Sequence, residues 1–286
     1  MFDRILIGVD GSDCARRAAT FGFELADACD ASVDVLLAAG GGSRFGGGTE
    51  DETETGQDVL DETAALATDM DVVVDTHLVE GRPATVLTEF ATDSGADLVV
   101  LGRRGRSGLG KRLLGSVTER VLRRSDVPVL AVADAEATGD AEATYEDVLV
   151  TTDGSDAAEW AGPYAAEVAR RCDARLHLLN AVDVQGEAGV FDAGGVSSRF
   201  VERLEQQGEE ALDRLADTVD DVDHRTAVVR DAPHEAVRTY VEDNDVDLVV
   251  MASRGQSGLA GQRLGSVTGR ILRTVEVPVL VVTSAP

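Results

Sequence analysis

The chain repeats itself, and the repeat limits what it can fold into more than any other feature does. When Gly105 is aligned with Gly255, Gly115-Ser116 falls on Gly265-Ser266, Asp97 on Asp247, Pro83 on Pro233 and Pro128 on Pro278. Near the two starts, ILIGVDGSD (5–13) matches VLVTTDGSD (148–156). So many landmarks in one order point to a duplication, in which each half is a supersecondary array able to bury its own core. The boundaries read from the sequence are residues 1–134 for a first domain and 146–286 for a second. Between them, residues 135–145 are acidic, small and without apolar periodicity, as a linker requires.

Within each half, short β-branched runs alternate with amphipathic stretches. In the first half strands are expected at Arg4–Val9, Ser32–Ala38, 71–79, Leu98–Leu101 and Val127–Ala133. Helices are expected from Ser12 or Asp13 to about Cys29, over 51–69, from Pro83, and over Ser116–Arg124. The second half repeats the pattern with strands near 147–152, 174–181, 224–230, 247–251 and 277–283. Apolar strands alternating with helices give a parallel sheet covered on both faces. The fold class is therefore α/β: two tandem, open-twisted, five-stranded parallel sheets of Rossmann-like, doubly wound type, with ligand sites at the strands' carboxyl ends. The glycine tract Gly40–Gly48 follows such an end, where it serves as a surface loop or a lid.

Composition narrows the function. Fifty-three acidic against 26 basic residues give −27, spread along the whole length, and Lys111 is the only lysine. Such a surface repels nucleic acid and anionic membrane, so neither is an expected partner, and its self-repulsion is relieved by salt. It suits the concentrated salt in which a halophile lives. The start MFDRILIGVD is charged from its third residue, unlike a signal peptide, and no apolar run reaches membrane-spanning length, so the expected location is cytoplasmic. Cys14, Cys29 and Cys172 are widely spaced and suit buried thiols. The four histidines fall at non-matching positions of the two halves, without metal-ligand spacing, and Trp160 reads as a packing residue on a helix.

The chemistry concentrates in Leu98–Thr118, LVVLGRRGRSGLGKRLLGSVT, which passes from a strand through a glycine- and arginine-rich loop to a helix start. Glycines allow backbone to approach a ligand, and a helix N-terminus offers unpaired N–H groups to an anion. Arg103, Arg104, Arg106, Lys111 and Arg112 stand between the glycines. Neither this window nor Leu248–Val275 contains an acid, although average composition would put about five in the second alone. Gly105-x4-Gly110-Lys111 is not a Walker A loop, because Arg112 stands where a magnesium-binding hydroxyl is required, and no G-x-G-x-x-G follows the first strand.

Taken together, G-2x-G-9x-G-S after an apolar strand, D-G-S after the first strand and V-P-V in the last resemble the universal stress protein family, in its tandem two-domain form. The resemblance covers essentially the whole chain. It implies an adenine-nucleotide alpha-hydrolase-like sheet and, in some members, binding of ATP or another adenine nucleotide, with Mg2+ as an optional companion. It also implies pairing through the last strand, so that the two halves of one chain form an intramolecular pseudo-dimer, with homo-oligomers as a further arrangement. Carried over by position, Asp10 contacts the adenosine moiety and the main chain at Ala39 the adenine. Gly102, Gly105, Gly115, Ser116 and Val117 hold the phosphates, helped by Arg104 and Arg106. The second-half positions are Asp153, Ala181, Ala252, Gly255, Gly265, Ser266 and Val267, where Ala252 departs from the pattern's glycine and marks the weaker copy. The function implied is a nucleotide-binding stress-response or regulatory protein rather than an enzyme, since no nucleophile–base–acid set is present. A weak ATP-hydrolysing or phosphoryl-transferring enzyme, and an interaction module that has lost its nucleotide, are the alternatives.

Overall fold

The computed structural model describes residues 1–40, 50–105, 113–134, 145–188, 197–255 and 264–283. The glycine tract at 41–48, Arg106, Lys111, Arg112, Arg263 and linker residues 135–144 lie outside these. Contacts divide the chain into two units, Met1–Thr144 and Tyr145–Pro286. Tyr145, the last residue of the expected linker, is buried.

In the first unit β1 (Arg4–Val9), α1 (Asp13–Cys29), β2 (Ser32–Ala39), α2 (Glu50–Ala64), β3 (Val74–Glu80), α3 (Pro83–Ser94), β4 (Leu98–Gly102), α4 (Ser116–Leu122) and β5 (Val129–Val132) follow in turn. The sheet order is β3-β2-β1-β4-β5, and all four of these pairings are parallel. The second unit runs β6 (Asp147–Thr152), α5 (Asp156–Glu159), α6 (Ala161–Cys172), β7 (Arg175–Ala181), α7 (Val184–Ala188), α8 (Ser198–Ala216), β8 (His224–Val229), α9 (Pro233–Asp243), β9 (Leu248–Ala252), α10 (Ser266–Thr274) and β10 (Val279–Val282). Its sheet reads β8-β7-β6-β9-β10, the same order. Each unit is thus the doubly wound α/β sheet expected.

Side chains on successive strand residues point to opposite faces. Ile7 and Val100 meet α1, where Gly22 lets the helix come close; Leu37 and Leu78 meet α2 at Gly56 on the same face. Gly8 and Leu101 meet Leu87 of α3 on the other face. The central strands are buried on both faces, with Ile5, Leu6, Ile7, Leu98 and Val100 at most 0% exposed. Each large aliphatic side chain buried in this way is worth about 1.5–3 kcal/mol.

Several boundaries differ from expectation for local reasons. The helix expected over 51–69 ends at Ala64 and closes with a 3-10 turn, Ala65–Ala67. β3 starts at Val74 rather than 71, because the amide of Asp71 donates to Asp27 Oδ1 at 3.0 Å and holds the chain out of the ladder. β5 starts at Val129, after Pro128, which has no N–H; its carbonyl accepts from Val99 at 3.0 Å. Trp160 sits between two helices rather than inside one. Pro163 cannot donate to the Glu159 carbonyl four residues back, and the helical ladder lapses there.

Candidate functional site

In each unit the strand order reverses between the first and fourth strands, which is where an open α/β sheet opens a crevice at its carboxyl ends. Asp10 leaves β1 on one side of that crevice, and Gly102–Gly105 leave β4 on the other. The turn after β1 is built from the sequence Asp-Gly-Ser. Gly11 takes φ 76°, which suits glycine. Asp10 Oδ1 accepts from the Ser12 amide at 3.0 Å and hydroxyl at 2.6 Å, while Ser12 Oγ accepts from the Ala15 amide at 3.2 Å and caps α1. The second unit reproduces this: Gly154 has φ 78°, Asp153 Oδ1 accepts from the Ser155 amide at 3.1 Å and hydroxyl at 2.6 Å, and Ser155 caps α5.

The other carboxylate oxygen of Asp10 faces Gly105 so closely that a Cβ there would collide with it. Asp153 and Gly255 stand in the same relation. The two sides of the crevice therefore touch where a ligand is expected, and any residue larger than glycine there would have to displace the aspartate.

The loop leaving β4 is closed at its base. The Arg103 amide donates to the Val132 carbonyl at 2.7 Å and the Gly115 amide to the Arg103 carbonyl at 2.7 Å. A Cβ on Gly115 would lie 2.9 Å from that same carbonyl. Thr118 Oγ1 then donates to the Gly102 carbonyl at 2.7 Å, fastening α4 to the end of β4. In the second unit Ser253, Gly265 and Thr268 do likewise: Gly265 to Ser253 at 2.7 Å and Thr268 Oγ1 to Ala252 at 3.0 Å. The threonines carry no role in the sequence reading; their recurrence two residues after each Gly-Ser was the available signal. Ser116 and Ser266 are exposed beside this closure, and Val117 and Val267 are half-buried.

Two glycine-pattern positions take a different meaning. A Cβ at Gly102 would lie 2.9 Å from the backbone carbon and oxygen of Cys14, so glycine is needed there by the packing of α1. The same direction at Ala252 leads to α5, which packs on β9, and the residue matching Cys14 is the smaller Ala157. The departure at Ala252 therefore falls at a helix–strand contact. Strand pairing also sets Val9 beside Leu37 and Thr152 beside Asn180, so two residues further on Val182, not Ala181, matches Ala39. The Ala39 carbonyl accepts from Gly81 at 2.9 Å, while Val182 is buried and its amide donates to Val229 at 2.8 Å.

The acid-free window of the sequence is not acid-free in space. Arg103 is buried, with Nε donating to the Ala131 carbonyl at 3.3 Å, and burial lowers its pKa to about 10. Arg104 pairs with Asp134 at 2.7 Å. Burial likewise pushes the Cys14 thiol, behind Gly102, up to about 12, which keeps it protonated and unreactive at neutral pH. Ser253 replaces Arg103 in the second unit, and Arg254 is exposed. Of the cations singled out in the sequence, these are the ones the described residues include.

A model of the universal stress protein family matches residues 1–133 and again 144–283. A universal stress protein of Mycobacterium tuberculosis is 33% identical over 221 residues, covering 76% of this chain and 71% of that protein. One of Mycolicibacterium smegmatis is 28% identical over 302 residues, covering 97% and 96%. The crystal structure of a universal stress protein from Archaeoglobus fulgidus overlays with a TM-score of 0.68 at 22% identity, covering 99% of this chain and 96% of that one, a likeness of fold.

Proposed function

The chain belongs to the universal stress protein family, and from that premise we propose that it binds ATP or another adenine nucleotide at the strand-end crevice of its first unit, as a regulatory rather than a catalytic protein. The observation that carries this reading is the contact of the Asp10 carboxylate with Gly105 across the point where the sheet order reverses. Ligands of open α/β sheets bind at that point. An aspartate there accepts hydrogen bonds from a ribose, and a glycine loop lets main-chain N–H groups approach phosphates. The exposed hydroxyl of Ser116 lies at the loop's return. Affinity then comes from backbone groups and from cations of the loop such as Arg106, with Arg104 held partly neutralised by Asp134. The second unit keeps the Asp153–Gly255 contact but has fewer basic residues in its loop, and it is the weaker copy.

Calorimetric titration of the whole chain with ATP, with and without Mg2+, tests this. Gly105→Val, which fills the space facing Asp10, is expected to abolish the tighter heat, and Gly255→Val to leave it. Equal titrations in both variants and in the unaltered chain would remove the assignment. Phosphate release above background in the same samples would favour the hydrolytic reading.

A further inference from the structure

The two units match in their landmarks but differ in the sign of their charges. Strand pairing makes Arg4 equivalent to Asp147, Asp34 to His177, Ser32 to Arg175 and Asp75 to Arg225. In the first unit the inner strand β1 supplies the cation and β2 the anion: Arg4 Nε donates to Asp34 Oδ2 at 2.6 Å and Nη2 to Oδ1 at 3.2 Å, while His77 of β3 holds Oδ1 at 2.7 Å. In the second unit the inner strand β6 supplies the anion. Asp147 is bonded by Arg175 and, at 2.9 Å, by His177 Nε2, and Arg225 of β8 reaches His177 Nδ1 at 3.0 Å. Asp34, Asp147 and His177 are all buried, at 1%, 3% and 0% exposure.

The reversal recurs elsewhere. Arg16, three residues into α1, faces Glu62 of α2 at 3.5 Å; Glu159, at the matching place in α5, faces Arg214 of α8 at 2.8 Å. Glu62 and Arg214 each stand six residues after a glycine, Gly56 or Gly208, that packs on the second strand of its unit. Two pairs, one with a buried carboxylate and one exposed, on different faces of the fold, have changed sign together.

We infer that the opposite polarity of these matched pairs keeps the elements of one unit from pairing with those of the other while the chain folds. Tandem copies with a shared topology are prone to exchange equivalent elements, within a chain or between chains. Here exchange meets like charges. With β6 beside β2, the Asp147 and Asp34 carboxylates share a buried site, and the arginines that bond them in the native pairings, Arg175 and Arg4, are both absent. With β1 beside β7, Arg4 joins Arg175, His177 and Arg225 with no carboxylate from either network. Burying two carboxylates together is costly in a way that salt relieves little, so β6 beside β2 is opposed most; the arginines, which reach the surface, and the exposed pair add a bias that salt weakens. Specificity against a competitor is built by such repulsion as well as by native attraction.

The test uses full-length chains carrying two different affinity tags, mixed in denaturant and refolded together. Giving the second unit the first unit's network (Asp147→Arg, Arg175→Ser, His177→Asp, Arg225→Asp, Ala227→His) removes the opposition; the result expected is a several-fold rise in mixed-tag assemblies over the unaltered chain. Giving the first unit the second's network (Arg4→Asp, Ser32→Arg, Asp34→His, Asp75→Arg, His77→Ala) should do the same, and stands in if the first variant does not fold. A chain with both sets has its networks exchanged but still opposed, and is expected to return to the unaltered level. No rise in either single-unit variant would overturn the inference. So would an exchanged chain that assembles as much as they do, since local damage would then explain the rise.

Discussion

At the scale of single residues, position in the fold rather than residue type decides what a charged group does. His177 is buried against Asp147, Arg225 and Tyr240, and burial first, then the Arg225 charge, lowers its pKa below the ordinary 6.5 despite the opposing pull of Asp147. The unfolded chain therefore takes up a proton before the folded one does. His177 contributes stability fully above pH 6.5, and loses it as the pH falls from there toward its lower folded value. The chain has one tryptophan, Trp160, which lies in the second unit, so its fluorescence follows that unit's unfolding. Acidifying from pH 7.5 to 5.5 is expected to lower the denaturant midpoint read by Trp160, and His177→Gln to flatten that slope. A slope unchanged in the variant would assign the effect elsewhere. Arg103 shows the converse limit on reading a sequence. Among glycines and other arginines it reads as an exposed anion contact, yet it is buried, and its Nε partner, the Ala131 carbonyl, is a main-chain group with no signature in the sequence.

Elements were more legible than residues, for a physical reason. A buried parallel strand needs a continuous β-branched run and a helix start needs a cap, and both leave local marks. Arg4–Val9 and Asp13–Cys29 begin and end where those marks stand. Ser12 and Ser155 each cap a helix while donating to the aspartate before it. Ser155→Ala should lower the stability of the second unit by about 1 kcal/mol, read as a shift of the Trp160 transition. Ser12→Ala should leave that transition in place and shift the remaining circular-dichroism change by a similar amount. Two shifts of one shared transition would mean that the units do not unfold separately. The register across strands was less legible: in LLNAV (178–182) the small residue before the final valine attracted the match to Ala39, whereas pairing with β6 sets it one residue later. The contact of Asp10 with Gly105 was legible only as two separate marks 95 residues apart, because a sequence shows neither the strand order nor the direction of a side chain.

For the molecule as a whole, the charge of −27 is a term that no single contact answers. The surface ion pairs are modest in worth, as exposed pairs are, and the net repulsion acts on both units. Raising potassium chloride from 0.1 to about 1 M, where the screening length falls to roughly 3 Å, is expected to raise the thermal midpoints of both units. Midpoints that stay flat or fall would mean that the acids are compensated within the fold. Two units of one topology, opposite in buried polarity, also make this chain a duplication whose halves have become distinct in assembly while staying alike in architecture.

That distinction extends to recognition through the way the β4 loop is fastened. Its two ends meet at one main-chain bond, Gly115 to Arg103 in one unit and Gly265 to Ser253 in the other, with a threonine behind each. Between those ends Gly105 and Gly255 are held to glycine by the facing aspartates, and Leu114 and Leu264 are buried; the other positions of such a loop can vary at little cost to the sheet beneath it. Gln256 and Gln262, where the first copy has Arg106 and Arg112, are such changes already made. The fastening thus separates positions that have diverged between the two copies from the closure that both retain.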